Sequence, residues 1–132
     1  MKTFSLRLYD TVHTTTRDDV VSFVGEDDSG SFGLLAGHAR FATCLVFGLA
    51  RFRSLDESWN YIAMPGGVLY FVDNVLNIST RHFIVDPDYE RISDSLHSQL
   101  LEEETQLRDL KKSLHNMEGE LFKRLWEASH RL

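Results

Sequence analysis

The stretch Trp59–Thr80, WNYIAMPGGVLYFVDNVLNIST, sets short apolar runs against two turn signals. WNYIAM stops at Pro-Gly-Gly, VLYFV stops at Asp73-Asn74, and VLNIST leads on toward HFIV. Runs of β-branched and aromatic residues bounded by Pro, Gly, Asp and Asn read as strands. Working outward, Phe4, Leu6 and Leu8 alternate with Thr3, Ser5 and Arg7, the period-two pattern of a half-buried strand. DVVSFVGEDDSG (Asp19–Gly30) is a short β-branched run ended by an acidic, glycine-closed turn. ATCLVFG and LARFRS follow, parted at Gly48. Eight or nine short strands within the first ~85 residues, with no helical stretch among them, point to a β-sandwich or flattened barrel.

After Val85 the pattern changes. DPDYERISDS offers Asp86 or Asp88 as a helix N-cap, with Pro87 tolerated in a first turn. No proline follows, and Leu100, Leu107, Leu114 and Leu121 recur every seven residues, with Leu110 and Met117 between them. This is an a/d seam of the coiled-coil kind, interrupted by Glu103. Acids lead the segment and bases trail, which suits the helix dipole. The fold class is therefore β then α (α+β): an antiparallel sandwich over residues 1–86 and a helical tail over 87–132. The tail is one long helix or a hairpin turning near Asn116 and Gly119. The seam keeps its phase across both residues, which favours a largely continuous helix from about Asp88 to Ala128.

Of the 132 residues 42% are hydrophobic, enough for a packed core. Twenty acids against fourteen bases give a net charge of −6, which argues against nucleic acid as partner. No apolar run approaches the roughly 20 residues of a membrane span, and the N-terminus lacks a signal-peptide block. Cys44 is the sole cysteine, which suits a reducing, cytoplasmic setting. It lies inside an apolar run and is expected to be a small buried hydrophobe.

GSFGLLAGHARF, Gly30–Phe41, is the candidate site, with Gly33 and Gly37 as expected tight-turn positions. A phosphate loop would lead into a helix and bring a lysine with serine or threonine, whereas strand-like sequence follows here. The six histidines are scattered without metal-ligand spacing, so His38 is expected to be structural or interfacial. Trp59, Tyr61 and Met64 are expected to share one core-facing side of a strand. No nucleophile, paired acid or anion cradle emerges, and the residues alone indicate a binding or structural module.

Two stretches carry a family likeness. GSFGLLAGHARF resembles the G-x-x-G-(I/L)-x-P-G-H-A-P segment of the epsilon subunit of rotary F-type ATP synthases. YIAMPGGVLYFVDNVLNIST is similar to that subunit's strand, Gly-Gly, strand, turn, V-x-I segment. The order also matches, over about residues 4 to 85, and the tail matches in character only. The resemblance implies a ten-stranded sandwich joining the gamma shaft to the c ring, and a pair of C-terminal helices that fold down or extend and hinder ATP hydrolysis. It implies a non-catalytic subunit without cofactor or metal, held in a peripheral complex on the cytoplasmic face of a bacterial inner membrane. Its partner interface would include Asp28, Ser29, Gly30, Ser31, Phe32, Gly33, Gly37, His38 and Arg40. Two departures stand out: Ala36 and Arg40 replace the family's prolines, and ISDSLHSQ lacks the Asp-x-x-Arg-Ala pattern of ATP-binding members. ATP binding by this chain is accordingly not expected. EDDSGSFG resembles the alternate N-type complexes. Two rivals remain: a free-standing adaptor oligomerising through its coiled-coil tail, and a small metal-dependent enzyme using His38 and Glu26–Asp28.

Overall fold

The computed structural model describes residues 2–130. Nine strands precede the helical segment: β1 (Phe4–Tyr9), β2 (Thr14–Asp27), β3 (Gly30–Leu35), β4 (Phe41–Leu45), β5 (Gly48–Ser54), β6 (Trp59–Met64), β7 (Gly67–Val72), β8 (Val75–Ser79) and β9 (Ile84–Asp86). Helix α1 (Tyr89–Ser95), a π-helical turn (Leu96–Leu100) and helix α2 (Leu101–Ser129) follow in direct succession. The order β1-β8-β7-β4-β2-β5-β6-β9, with β3 on β2, places β2 where the two halves of the sandwich meet.

Strand β2 departs from the expected short strands, at 14 residues. Its first half, TTTRDD, is mostly exposed and carries no apolar alternation, so no pattern announced it. Pairing with β1 holds it in place, Leu8 opposite Thr15 and Leu6 opposite Arg17. Its second half pairs with β3 on one edge and β5 on the other. The register slips between Val20 and Ser22, where Val20 and Val21 are both buried. Such a bulge bends a strand and raises its twist, which lets β2 serve both halves.

Two further corrections concern pairing. Nine strands lie in the described residues, against the ten that the resemblance implied. All pairs run antiparallel except β1 with β8, which run parallel. No hairpin joins those two, and a parallel pair needs only a long connection, here most of the sandwich. The Asp73-Asn74 turn is as expected: φ values of 50° and 63° and the pair Val72–Val75 make it a two-residue type I′ hairpin.

The main core lies between the sheets and includes Phe4, Leu6, Phe23, Phe52, Ile62, Met64, Leu69 and Phe71. Phe4 and Phe71 meet edge to face at 5.5 Å. Met64 belongs to this core, but Trp59 and Tyr61 do not share its side. They lie on the other face of β6, because positions two apart, not three, point the same way. Cys44 is exposed for the same reason: Phe41, Thr43 and Leu45 take the inner positions of β4.

A second cluster covers the outer face of β6. Ile92, Leu96 and Leu100 pack on Ala63, with Leu49, Tyr61 and Ile84 around them. The chain divides into compact units Met1–Leu100 and Leu101–Leu132, so α1 and the π-helical turn group with the strands although the expected division was 86/87. Leu100, expected in the leucine seam, is instead buried with this cluster. Leu100 is the last residue of the first unit and is held there with Ala63, Ile92 and Leu96, while the seam from Leu107 onward belongs to the second. Taken by itself, α2 runs 29 residues through Asn116 and Gly119 without a break and buries none of its side chains. The hairpin alternative is not formed.

The start of α1 is fastened electrostatically. Asp88 caps it, accepting from the Arg91 N–H at 3.2 Å, and Arg91 reaches back to grip both oxygens of Asp86 at 2.5 and 2.7 Å. The Arg91 hydrogen bonds, with the Asp88 amide, lower the Asp86 pKa to about 2. A depressed carboxylate adds stability above its ordinary pKa of 3.8 and loses it as pH falls toward 2. Arg91→Gln should therefore return the Asp86 titration toward 3.8, as read by carboxyl NMR. An unchanged midpoint would show that Arg91 does not hold this carboxylate.

Candidate functional site

The candidate residues occupy the two ends of β3. At one end, Asp27 pairs with Gly30 across the two-residue turn Asp28-Ser29. The Asp27 carboxylate accepts from the Ser29 amide at 2.9 Å and its hydroxyl at 2.5 Å, and from Thr43 Oγ1 of β4 at 2.7 Å. The Ser29 hydroxyl, then Thr43, hold its pKa below the ordinary range. Asp27 is thus committed to fastening the β2–β3 turn onto β4. Among the described residues no three His, Cys, Asp or Glu side chains gather as a metal site.

At the other end, Leu35 to His38 form a turn closed by the His38 N–H donating to the Leu35 carbonyl at 3.2 Å. Gly37 has φ +81° at its third position and Ala36 precedes it with negative φ, which makes this a type II turn. Any other residue at 37 is strained by its backbone, not by neighbours, since nothing lies within 4 Å of a Cβ built there. Gly33, by contrast, is no turn residue: it lies inside β3 opposite Val24. The His38 ring is exposed, with Nδ1 2.7 Å from the Ala39 carbonyl and near-perpendicular to the Phe41 and Phe71 rings at centroid distances of 5.8 and 6.0 Å. Arg40 is exposed beside it, while Phe32 is half-buried against the core.

Six residues of strand span about 20 Å at roughly 3.3 Å each. Asp28, Ser29, Gly30 and Ser31 therefore sit well apart from Gly37, His38 and Arg40, with Phe32 and Gly33 between. A stretch continuous in sequence becomes two surface points joined by an edge strand.

The residue that sequence reading missed is Asn74. Its Oδ1 accepts from the Gly37 N–H at 2.9 Å, and its Nδ2 donates to the Thr3 carbonyl at 2.8 Å. Its own carbonyl accepts from the Ser5 N–H at 3.2 Å. One side chain in a hairpin turn so fastens the β3–β4 loop and the chain's first strand. The turn itself was legible, but bonds to residues 37 and 71 positions away leave no local signal.

Asn74→Gly isolates this pin, because glycine keeps the positive φ that the turn needs. The variant deletes both side-chain bonds, each worth about 1 kcal/mol, so the Gly37 amide should exchange about fivefold faster and the melting temperature should fall by several degrees. Unchanged exchange at Gly37 would show that the loop is held by other means.

Comparison with known proteins bears on this scaffold. Residues 3–86 match the family model described as ATP synthase, Delta/Epsilon chain, beta-sandwich domain. The "ATP synthase epsilon chain 2" of Cereibacter sphaeroides is 32% identical over 83 residues, covering 62% of this chain and 57% of that protein. The protein of the same name from Paraburkholderia xenovorans is 42% identical over 50 residues, covering 38% and 36%. The matched part thus spans under two thirds of either relative. In fold, the chain resembles one in the cryo-EM structure of the Euglena gracilis mitochondrial ATP synthase, OSCP/F1/c-ring in rotational state 1, with TM-score 0.57, 21% identity and coverage of 70% and 60%. It also resembles one in the central stalk/c-ring of the Tetrahymena thermophila mitochondrial ATP synthase, with TM-score 0.54, 12% identity and coverage of 63% and 66%. The family match takes in all nine strands, and the chain belongs to the delta/epsilon-chain family of ATP synthases.

Proposed function

We propose that this chain is the non-catalytic epsilon subunit of a rotary ATP synthase, seated in the central stalk between the gamma shaft and the c ring. The observation that carries the reading is the match of the whole strand-bearing segment, 3–86, to the delta/epsilon sandwich. The two ends of β3 serve as contact points toward gamma and the c ring. Among the described residues no helix is long and apolar enough to cross a membrane, which accords with a subunit held in place by partners. The complex sits on the cytoplasmic face of a bacterial inner membrane. The name "epsilon chain 2", borne by both curated relatives, supports placing it in an alternate, N-type complex.

The tail supports the regulatory part of the proposal. Leu107, Leu110, Leu114, Met117 and Leu121 are exposed along α2, and Phe122, Leu125 and Trp126 widen the apolar stripe near its end. Burying a Leu-sized side chain is worth about 2 kcal/mol, so a partner covering the five seam residues outweighs the ~1 kcal/mol cost of Gly119 many times over. Gamma is the proposed partner along this stripe, and α2 laid there would restrain ATP hydrolysis.

Co-expression with candidate gamma subunits tests the reading. The full chain should co-elute with gamma in size-exclusion chromatography, and so should a chain ending at Leu100, which keeps α1 on the sandwich. The assembled complex lacking residues 101–132 should hydrolyse ATP several-fold faster. Failure of both chains to co-elute, with self-association of the full chain alone, would favour the free-standing adaptor instead. Unchanged hydrolysis would remove the regulatory role.

A further inference from the structure

Strands β5 and β6 pair so that Arg51 lies opposite Tyr61 and Arg53 opposite Trp59. All four lie on the outer face of the sheet, whose other end α1 covers. Both guanidinium groups stand over one indole, at 4.9 Å for Arg51 and 5.7 Å for Arg53 from the Trp59 ring centre. Neither is paired with a carboxylate among the described residues, and Arg53 Nε is buried without an acceptor. Asp56, in the turn between β5 and β6, is engaged by the Ser58 amide and hydroxyl at 3.0 and 2.6 Å.

This is unusual ground in a chain of net charge −6 with 20 acids. Cation–π contact at an exposed site returns only about 0.5–1 kcal/mol, against the mutual repulsion of neighbouring cations. A hollow of about 270 Å³ adjoins Arg51, lined by Val24, Ala50, Tyr61 and Tyr89 and also by Glu26 and Ser31. Leu35, on the neighbouring edge strand, is 62% exposed.

We propose that this face docks an acidic segment of a partner protein, with carboxylates on Arg51 and Arg53 and an apolar side chain against Trp59 and the hollow. Guanidinium forks match carboxylates in bidentate geometry. Tyr, Trp and Arg are the residues that concentrate binding energy at protein interfaces. A small oxyanion would meet the guanidiniums but leave the indole and the apolar hollow in water. A nucleic acid would bring a continuous run of phosphates, which needs a basic surface that a chain of net charge −6 does not offer, whereas one or two carboxylates need only this arginine pair. Ser31 lines the hollow and Leu35 ends β3, so the face adjoins both ends of that strand. Peptide binding by the chain needs neither gamma nor the c ring, however, and its outcome is separate from the stalk reading.

The test uses the full chain carrying Trp126→Phe, which leaves Trp59 as the only tryptophan. The probes are a synthetic dodecapeptide of alternating Glu and Leu, its Gln-for-Glu counterpart, and inorganic phosphate. The Glu peptide should perturb Trp59 fluorescence saturably, with affinity about tenfold weaker in the Gln peptide and in Arg51→Gln, Arg53→Gln. Because the Arg53 stem is partly packed, Arg51→Gln alone should show a severalfold loss in a chain of unchanged melting temperature. Equal binding of both peptides, an unaffected double variant, or no Trp59 response would overturn the proposal. So would phosphate saturating the signal and displacing the peptide at comparable concentration, which would make this a small-oxyanion site.

Discussion

Strand β2 is the constraint on which the rest of the structure depends. Its first half pairs with β1, its second half with β3 and β5, and its last residue meets Leu45 of β4. Phe23 and Val20 from this strand are fully buried in the main core, and Gly25 leaves room where a Cβ would stand 2.8 Å from the Phe23 ring. Without the slip between Val20 and Ser22, one face of β2 could not serve the core throughout its length, since a single-residue shift exchanges the faces. The bulge turns one strand into the hinge line of two sheets. β3 itself is placed by β2, its only paired neighbour among the described residues.

The exposed elements are then secured by a few polar fastenings. Asp27 binds the β2–β3 turn to Thr43, Asn74 binds the β3–β4 loop to the β7–β8 turn, and Asp86 binds β9 to Arg91 of α1. None of these is a catalytic arrangement, and each leaves its segment presented at the surface in a set conformation. Epsilon chains are non-catalytic members of the ATP synthase, and the division between a pinned sandwich and a helix with exposed leucines fits that role.

Much of this was legible in the sequence, and the failures have physical causes. The β-then-α switch at Val85, the Asp73-Asn74 hairpin and the unbroken α2 follow from periodicity and turn chemistry, which are local. The first half of β2 was hidden because TTTRDD is polar and owes its strand form to β1. Cys44, Trp59 and Tyr61 were misplaced by reading apolar character instead of counting parity along their strands. Leu100 left the seam because it packs with Ala63 of β6, a tertiary contact that the heptad spacing does not show. The candidate stretch Gly30–Phe41 was found from its glycines, yet its separation into two surface points, and its dependence on Asn74, are tertiary facts.

Amide hydrogen exchange along β2 in the isolated chain tests the central claim most directly. Ser22, Phe23 and Val24 have partners on both edges, in β3 and β5. If β2 joins the sheets as one cooperative element, these amides should exchange only through global unfolding, as slowly as Leu69 and Ile78 in the β7–β8 pair. Exchange at Ser22–Val24 markedly faster than at Leu69 and Ile78 would contradict it, because the two halves of the sandwich would then open separately and β2 would not be what joins them.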